Sequence, residues 1–235
     1  HLLSDFFLTV EQTAAELLPA LEIERYRGVV SLSSAIPIAS GFGSSAAVCA
    51  CVSRILLAAE SSGDLSAPDT AMPASPEAQR RGEPRLSTHP SHFMPEAPHP
   101  QRLWSLANTL ERFFHGTPSG IDTGLAVLGG TQAFFFPSSG ELPRAYPRAA
   151  FPGWLVAGSV PRSGSTKSLV ASVRGRVESN EEAMGQLRTL GEIAMESAEL
   201  LEERDRERVV REIAVRALRA HELLREFGLS HREVE

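Results

Sequence analysis

Two short stretches hold residues whose types and spacing could do chemistry. In residues 36–47, IPIASGFGSSAA, a glycine- and serine-rich loop runs directly into an apolar, helix-favouring segment, residues 46–59. Gly41 and Gly43 carry no side chain where backbone must bend sharply or approach a ligand. Ser44 and Ser45 fall where a helix exposes its first unpaired N–H groups, and the partial positive charge there suits a phosphate. Serine hydroxyls beside such a cradle can bond phosphate oxygens or ligate magnesium, which prefers hard oxygen donors. The same residues also read as a serine-capped core helix after a glycine turn. In the second stretch, residues 111–122, ERFFHGTPSGID, the carboxylates of Glu111 and Asp122 flank a Gly/Pro/Ser loop.

Two familiar phosphate motifs are excluded. A P-loop needs glycine followed by lysine and a hydroxyl residue, and no lysine follows Gly43. The spacing of Gly41, Gly43 and Ala46 fits the looser dinucleotide pattern G-x-G-x-x-A. That pattern wants a strand running into its first glycine, and Pro37 interrupts strand pairing there. The acidic residue that should end a second strand is missing too, because Glu60 ends a helix-like run.

The two stretches together resemble the GHMP small-molecule kinases, and within them the mevalonate kinases. The family pattern P-x-x-x-G-L-G-S-S-A is met by residues 37–46, with Phe42 in place of leucine. The pattern E-x-x-x-H-G-x-P-S-G-x-D is met by Glu111, His115, Gly116, Pro118, Ser119, Gly120 and Asp122. A third stretch, VPRSGSTKSLVASVR over residues 160–174, resembles V-P-R-x-T-[KR]-x-L-V-x-x-V-R with two extra residues in its loop.

The resemblance implies ATP and Mg2+ as cofactors. It implies that Ala39, Ser40, Gly41, Phe42, Gly43, Ser44 and Ser45 wrap the triphosphate, with Ser34 near the nucleotide. It further implies that Ser45 and Glu111 hold magnesium and that Asp122 faces the hydroxyl being phosphorylated. The implied reaction is phosphorylation of mevalonate to 5-phosphomevalonate for isoprenoid synthesis. The H-G-x-P-S-G-x-D form favours mevalonate over galactokinase-like and homoserine-kinase-like alternatives. A phosphomevalonate-kinase-like enzyme and an inactive nucleotide-binding fragment stay open. The implied fold is α+β in two domains, a ribosomal protein S5 domain 2-like N-terminal domain over residues 1–153 and the start of a ferredoxin-like C-terminal domain over residues 154–235. The chain begins at His1 rather than Met. It also shows neither the family's upstream lysine-bearing strand nor its downstream glycine-rich loop. It therefore reads as an internal portion, incomplete at both ends and inactive alone.

Phosphoryl transfer from ATP to an alcohol rests on positioning and charge neutralisation, so each implied role has a physical requirement. Glu111 ends an amphipathic run in which Leu103, Leu106, Ala107, Leu110, Phe113 and Phe114 recur at helical spacing, which gives a metal ligand a rigid backbone. Asp122 follows a Gly/Pro loop and opens a short helix, whose dipole favours negative charge. The plainer alternatives are a helix cap for Asp122 and a solvated helix face for Glu111. His115 reads as a ligand or acid, or as the partner of a turn-stabilising hydrogen bond. Lys167 and Arg162 read as contacts to phosphate or a substrate carboxylate, or as exposed loop charges.

These groups must be held by the rest of a 235-residue chain, long enough for one good core or two smaller ones. A hydrophobic fraction of 42% and a charged fraction of 22% are those of a soluble globular protein. A net charge of -6 without a basic block makes nucleic acid an unexpected partner. No apolar run reaches the roughly 18 residues that span a bilayer. Cys49 and Cys51 lie two apart on one expected helix, which suits neither a disulfide nor a metal site, so both are expected buried and reduced, in the cytoplasm. A small molecule is the expected partner, and a homodimer is an expectation by resemblance.

Residues 2–21 read as helix, with Phe6, Phe7, Val10, Ala14, Leu17 and Leu18 on one face. Residues 28–33 read as a strand entering the phosphate loop. Residues 61–101 hold eight prolines and few apolar groups, so they read as a disordered insertion. Residues 129–136 and 154–160 read as strands. Residues 178–203 and 205–227 read as two amphipathic helices, lined by Leu187, Leu190, Ile193 and Ala194 in one and by Val209, Val210, Ile213, Ala217, Leu218 and Leu224 in the other.

Overall fold

A computed structural model describes residues 2–18, 33–36, 41–62, 99–137, 140–158 and 166–230. The expected strand 28–33 apart from Ser33, the loop residues Pro37, Ala39 and Ser40, most of the 61–101 segment and Arg162 lie outside the described residues, as does the Lys167 side chain.

Three helices make the main core. In α1 (Leu2–Leu17), Phe6, Val10 and Ala14 recur every three to four residues and are buried, as is Leu18 just beyond. Leu17, expected on the same face, is exposed. The second helix, α2 (Ser44–Ser62), buries Cys49, Val52, Leu56 and Leu57. The third, α3 (Pro100–His115), opens on Pro100, whose missing N–H costs nothing at a helix start. It buries Leu103, Leu106, Ala107 and Leu110 against the other two. Phe6 stacks on Phe7, Phe113 and Phe114 at centroid distances of 5.6, 5.6 and 5.1 Å, closing the end of this core. By length and composition α2 could cross a membrane, contrary to the sequence expectation. In this fold its apolar side packs against α3 and the short helix that follows.

That short helix, α4 (Ile121–Leu128), and a two-stranded antiparallel sheet, β1 (Thr131–Phe135) and β2 (Arg144–Arg148), complete the first half. The register pairs Thr131 with Arg148 and Phe135 with Arg144. β1 falls within the expected strand 129–136. β2 was not among the expected strands, and it contains Pro147. Proline is tolerated where a strand has an edge, and both strands of a two-stranded pair are edges. Residues 154–158 form no strand, against expectation, and Trp154 is 98% exposed. A strand needs a neighbour for its backbone groups, and none of the described residues pairs with this segment.

The rest is helical: α5 (Thr166–Ser179), α6 (Glu181–Leu200) and α7 (Arg206–Glu226). Asn180 caps α6 by accepting from Glu182 N–H at 2.9 Å, and Asp205 caps α7 by accepting from Arg208 N–H at 3.0 Å. Ala183, Leu200, Val209, Leu223 and Phe227 are buried, whereas Leu187, Ala194, Ala217, Leu218 and Leu224 are exposed. The expected apolar stripes are thus only partly used. Among the described residues α6 packs on α5 and α7, and α7 on α6, which leaves the remainder of each stripe uncovered. The described residues are mostly helical with one small sheet, which fits an α+β class.

The turn into α4 is crowded, and that crowding fixes where Asp122 stands. Gly120 adopts φ +86, and a side chain there would meet Leu142 at 2.9 Å. Its carbonyl accepts from the buried Trp104 indole N–H at 2.9 Å. A Cβ on Gly124 would lie 2.6 Å from the same indole, which cannot retreat without breaking that bond. Gly124→Ala is therefore expected to cost about 1–3 kcal/mol, the usual range for overpacking. At about 2–4 °C per kcal/mol for a chain of this size, its thermal midpoint should drop by several degrees. An unchanged melting curve would show that Trp104 yields freely.

Candidate functional site

The site is assembled from the first turn of α2, the last turn of α3 and the start of α4. Gly43, at φ +71, turns the chain so that its carbonyl accepts from Ala47 N–H at 3.0 Å, the first bond of the helix. α2 thus starts at Ser44, two residues before the expected segment, and both serines sit in the first turn. Nothing lies within 4 Å of a Cβ built on Gly41 or Gly43, so these glycines serve backbone shape rather than close packing. Phe42 between them is exposed. Ser34 stands in a separate local turn, its Oγ accepting from Ile36 N–H at 3.0 Å.

Ser45 and Glu111 meet across 66 residues of chain. Ser45 Oγ donates to Glu111 Oε1 at 2.8 Å. Glu111 is 1% exposed, so the solvated-face reading of this residue is wrong. Leu103, Leu106, Ala107 and Leu110 share its face of α3, and their burial takes the carboxylate inside. His115, one turn on, places Nε2 3.0 Å from Glu111 Oε1 and 3.2 Å from Ser45 Oγ. With Glu111 ionised and Ser45 donating to it, the tautomer that serves both oxygens is the one with the proton on Nε2. The histidine braces the carboxylate rather than the turn after α3. There Gly116 N–H instead bonds Arg112 O at 2.8 Å.

The second oxygen of Glu111, Oε2, is buried without a hydrogen-bond partner of ordinary geometry. The Cys49 thiol, one turn along α2 from Ser45, is a weak donor to this carboxylate. Burial, together with the negative charge of Glu111, pushes the Cys49 thiol well up, so it stays protonated and is no nucleophile. Cys51 is exposed, correcting the expectation that both thiols are buried; residues two apart on a helix cannot share one face.

Burial also pushes the Glu111 carboxyl up, and the charge of Asp122 adds to this. Hydrogen bonds from Ser45 and Cys49 and the field of His115 offset it only in part. The folded chain therefore holds this proton more tightly than the unfolded chain does. Stability is greatest while Glu111 is protonated and falls as pH rises through the carboxylate range to the folded value. In metal-free buffer above that range, Glu111→Gln should melt higher than the wild type, by about 2–4 °C for each kcal/mol regained. A variant that melts lower across the whole pH series would show that the carboxylate's hydrogen bonds outweigh its burial.

Asp122 is exposed at the second position of α4. It makes no cap bond, and Gly120 occupies the N-cap position, so the cap reading of Asp122 is not what this fold displays. Asp122, Glu111 and His115 line one cleft of about 500 Å³. Asn108, Thr123 and Arg174 line it too; the first two were not singled out in the sequence, and Arg174 was met only as the last residue of the third stretch, without a role. Helical spacing could have found two of them, because Asn108 precedes Glu111 by three residues and Thr123 adjoins Asp122. Nothing in the sequence placed Arg174 there, because it sits on α5, far along the chain.

Whether these residues suit a hard divalent cation can be judged from the donors. Ser45 Oγ and Glu111 supply a hydroxyl and a carboxylate in contact, with one carboxylate oxygen left over. Among the described residues no group of three or more His, Cys, Asp and Glu side chains is arranged to hold a metal ion. The pair fits a magnesium ion that takes its remaining ligands from phosphate and water, which is its usual habit.

Residues 8–74 match the family model described as the GHMP kinases N terminal domain. The matched residues include the Gly41–Gly43 loop and all of α2. Glu111 and Asp122 lie beyond them. No curated protein and no solved structure matches the chain.

Proposed function

We propose that this chain, with its GHMP kinase N-terminal domain, serves an ATP-dependent small-molecule kinase that phosphorylates the primary hydroxyl of mevalonate. One observation carries the reading: the first turn of the glycine-preceded α2 touches the buried Glu111, beside the cleft that holds Asp122. A helix start with free N–H groups suits the triphosphate, which Ala39, Ser40 and residues 41–45 would wrap. Magnesium, when bound through Ser45 and Glu111, neutralises phosphate charge. His115 keeps the Glu111 carboxylate oriented. Asp122 orients the acceptor hydroxyl and receives its proton, a role that suits an exposed carboxylate at the edge of a cleft. The H-G-x-P-S-G-x-D form of residues 115–122 supports mevalonate as the acceptor, and the two-domain division at residues 153 and 154 belongs to the same proposal. ATP turnover by the full-length protein against mevalonate, galactose and homoserine is the test. Phosphate transfer to mevalonate well above the other two is expected, and transfer to none of the three would overturn the reading.

A further inference from the structure

We propose that His115 is a shutter on the cation pair: its imidazole N–H holds the two oxygens that magnesium needs, and the ring must swing aside before the ion binds. This role rests on Ser45 and Glu111 being magnesium ligands and adds what controls their occupancy. Ser45 Oγ and Glu111 Oε1 are 2.8 Å apart. Neighbouring oxygens around magnesium, with bonds of about 2.0–2.1 Å at right angles, are separated by roughly 2.9 Å. The pair is thus already spaced for one ion. His115 Nε2 lies 3.0 Å from the first ligand's carboxylate oxygen and 3.2 Å from the serine hydroxyl. One N–H thereby serves both oxygens, the service a bridging cation would otherwise supply.

The ring also stands on the side from which an ion would come. Glu111 is buried and its Oε2 is turned into the protein, and Ser45 does not line the cleft. His115 does line it, with its side chain 28% exposed. An ion entering from the cleft therefore meets the imidazole ahead of the oxygens. The ring is free to move because His115 is the last residue of α3, followed by Gly116 at φ +68, so no further helical turn packs over it. The cleft of about 500 Å³ gives it room. Swinging aside breaks the contacts to both oxygens, and that cost is charged against the ion. The imidazole thus steadies the empty pair and weakens cation binding at once. Removing it should move these two properties in opposite directions, whereas loss of a residue that only supports the fold would lower both.

The test is equilibrium binding of a non-hydrolysable ATP analogue to the full-length protein, with and without Mg2+, beside melting curves in metal-free buffer. His115→Ala should raise the ratio of magnesium-bound to metal-free affinity by about tenfold, the scale of one hydrogen bond to a charged group, while its metal-free thermal midpoint falls. His115→Gln, whose amide N–H can replace that of the imidazole, should lie between His115→Ala and the wild type in both. In the wild type labelled with 15N-histidine, the Nε2 signal that His115→Gln removes should shift when Mg2+ is added with the analogue. An affinity ratio that is unchanged or lower in His115→Ala, a metal-free midpoint that does not fall, or an Nε2 signal indifferent to Mg2+ would each overturn the proposal. Turnover measured on the same samples separates it from the kinase reading. Opposed shifts in His115→Ala, with no phosphate transfer by the wild type, would remove the kinase reading and leave a shuttered cation pair. Phosphate transfer without opposed shifts would do the reverse.

Discussion

Asp122→Asn in the full-length protein should lower kcat by about 10²–10⁴-fold, the range for loss of a positioned proton acceptor, while nucleotide affinity changes less than about twofold. The amide keeps the shape and one acceptor oxygen but loses the charge and the basicity. The wild-type group is exposed in the cleft and held by the crowded Gly120–Gly124 turn, so the substitution should leave the backbone where it is. An interaction made mainly in the transition state lowers kcat and kcat/KM together, and that is the pattern expected here. Near wild-type kcat would remove Asp122 from the mechanism. A large loss of nucleotide affinity would place it on the phosphate side instead.

Glu111→Gln and Ser45→Ala form the second large effect. Each should weaken magnesium–ATP binding by about tenfold, roughly 1.4 kcal/mol, and leave metal-free ATP binding nearly unchanged. The double variant should be little worse than the poorer single one. The two side chains share a 2.8 Å contact, and groups acting on one ion couple by about 0.5–3 kcal/mol. A hundredfold, additive loss in the double variant, or equal losses with and without magnesium, would show that the pair only stabilises the helix contact. Stability and function should oppose one another at Glu111. The carboxylate that ligates the ion is the one whose burial costs stability when the ion is absent.

Much of the local framework was legible in the residues. The periodic apolar positions of α1 and α3, the glycine-then-serine start of α2 and the acidic residue opening α4 are all local signals. Such features follow from side-chain spacing and backbone freedom, which act over a few residues. Where the reading erred, a partner from elsewhere in the chain decided the outcome. Residues 154–158 have the composition of a strand but no neighbour to pair with among the described residues, and β2 forms despite Pro147 because β1 lies alongside.

The same division holds at the site. Sequence alone determined which groups are available, a serine pair at a helix start and two carboxylates around a turn, because residue type and local spacing are written in the chain. Tertiary structure alone decided that Glu111 is buried rather than solvated, that its carboxylate receives Ser45 and His115, and that Arg174 shares a cleft with Asp122. Burial and charge depend on which helix faces meet in space. Those meetings join positions 66 residues apart at Ser45 and Glu111, beyond the reach of any local pattern.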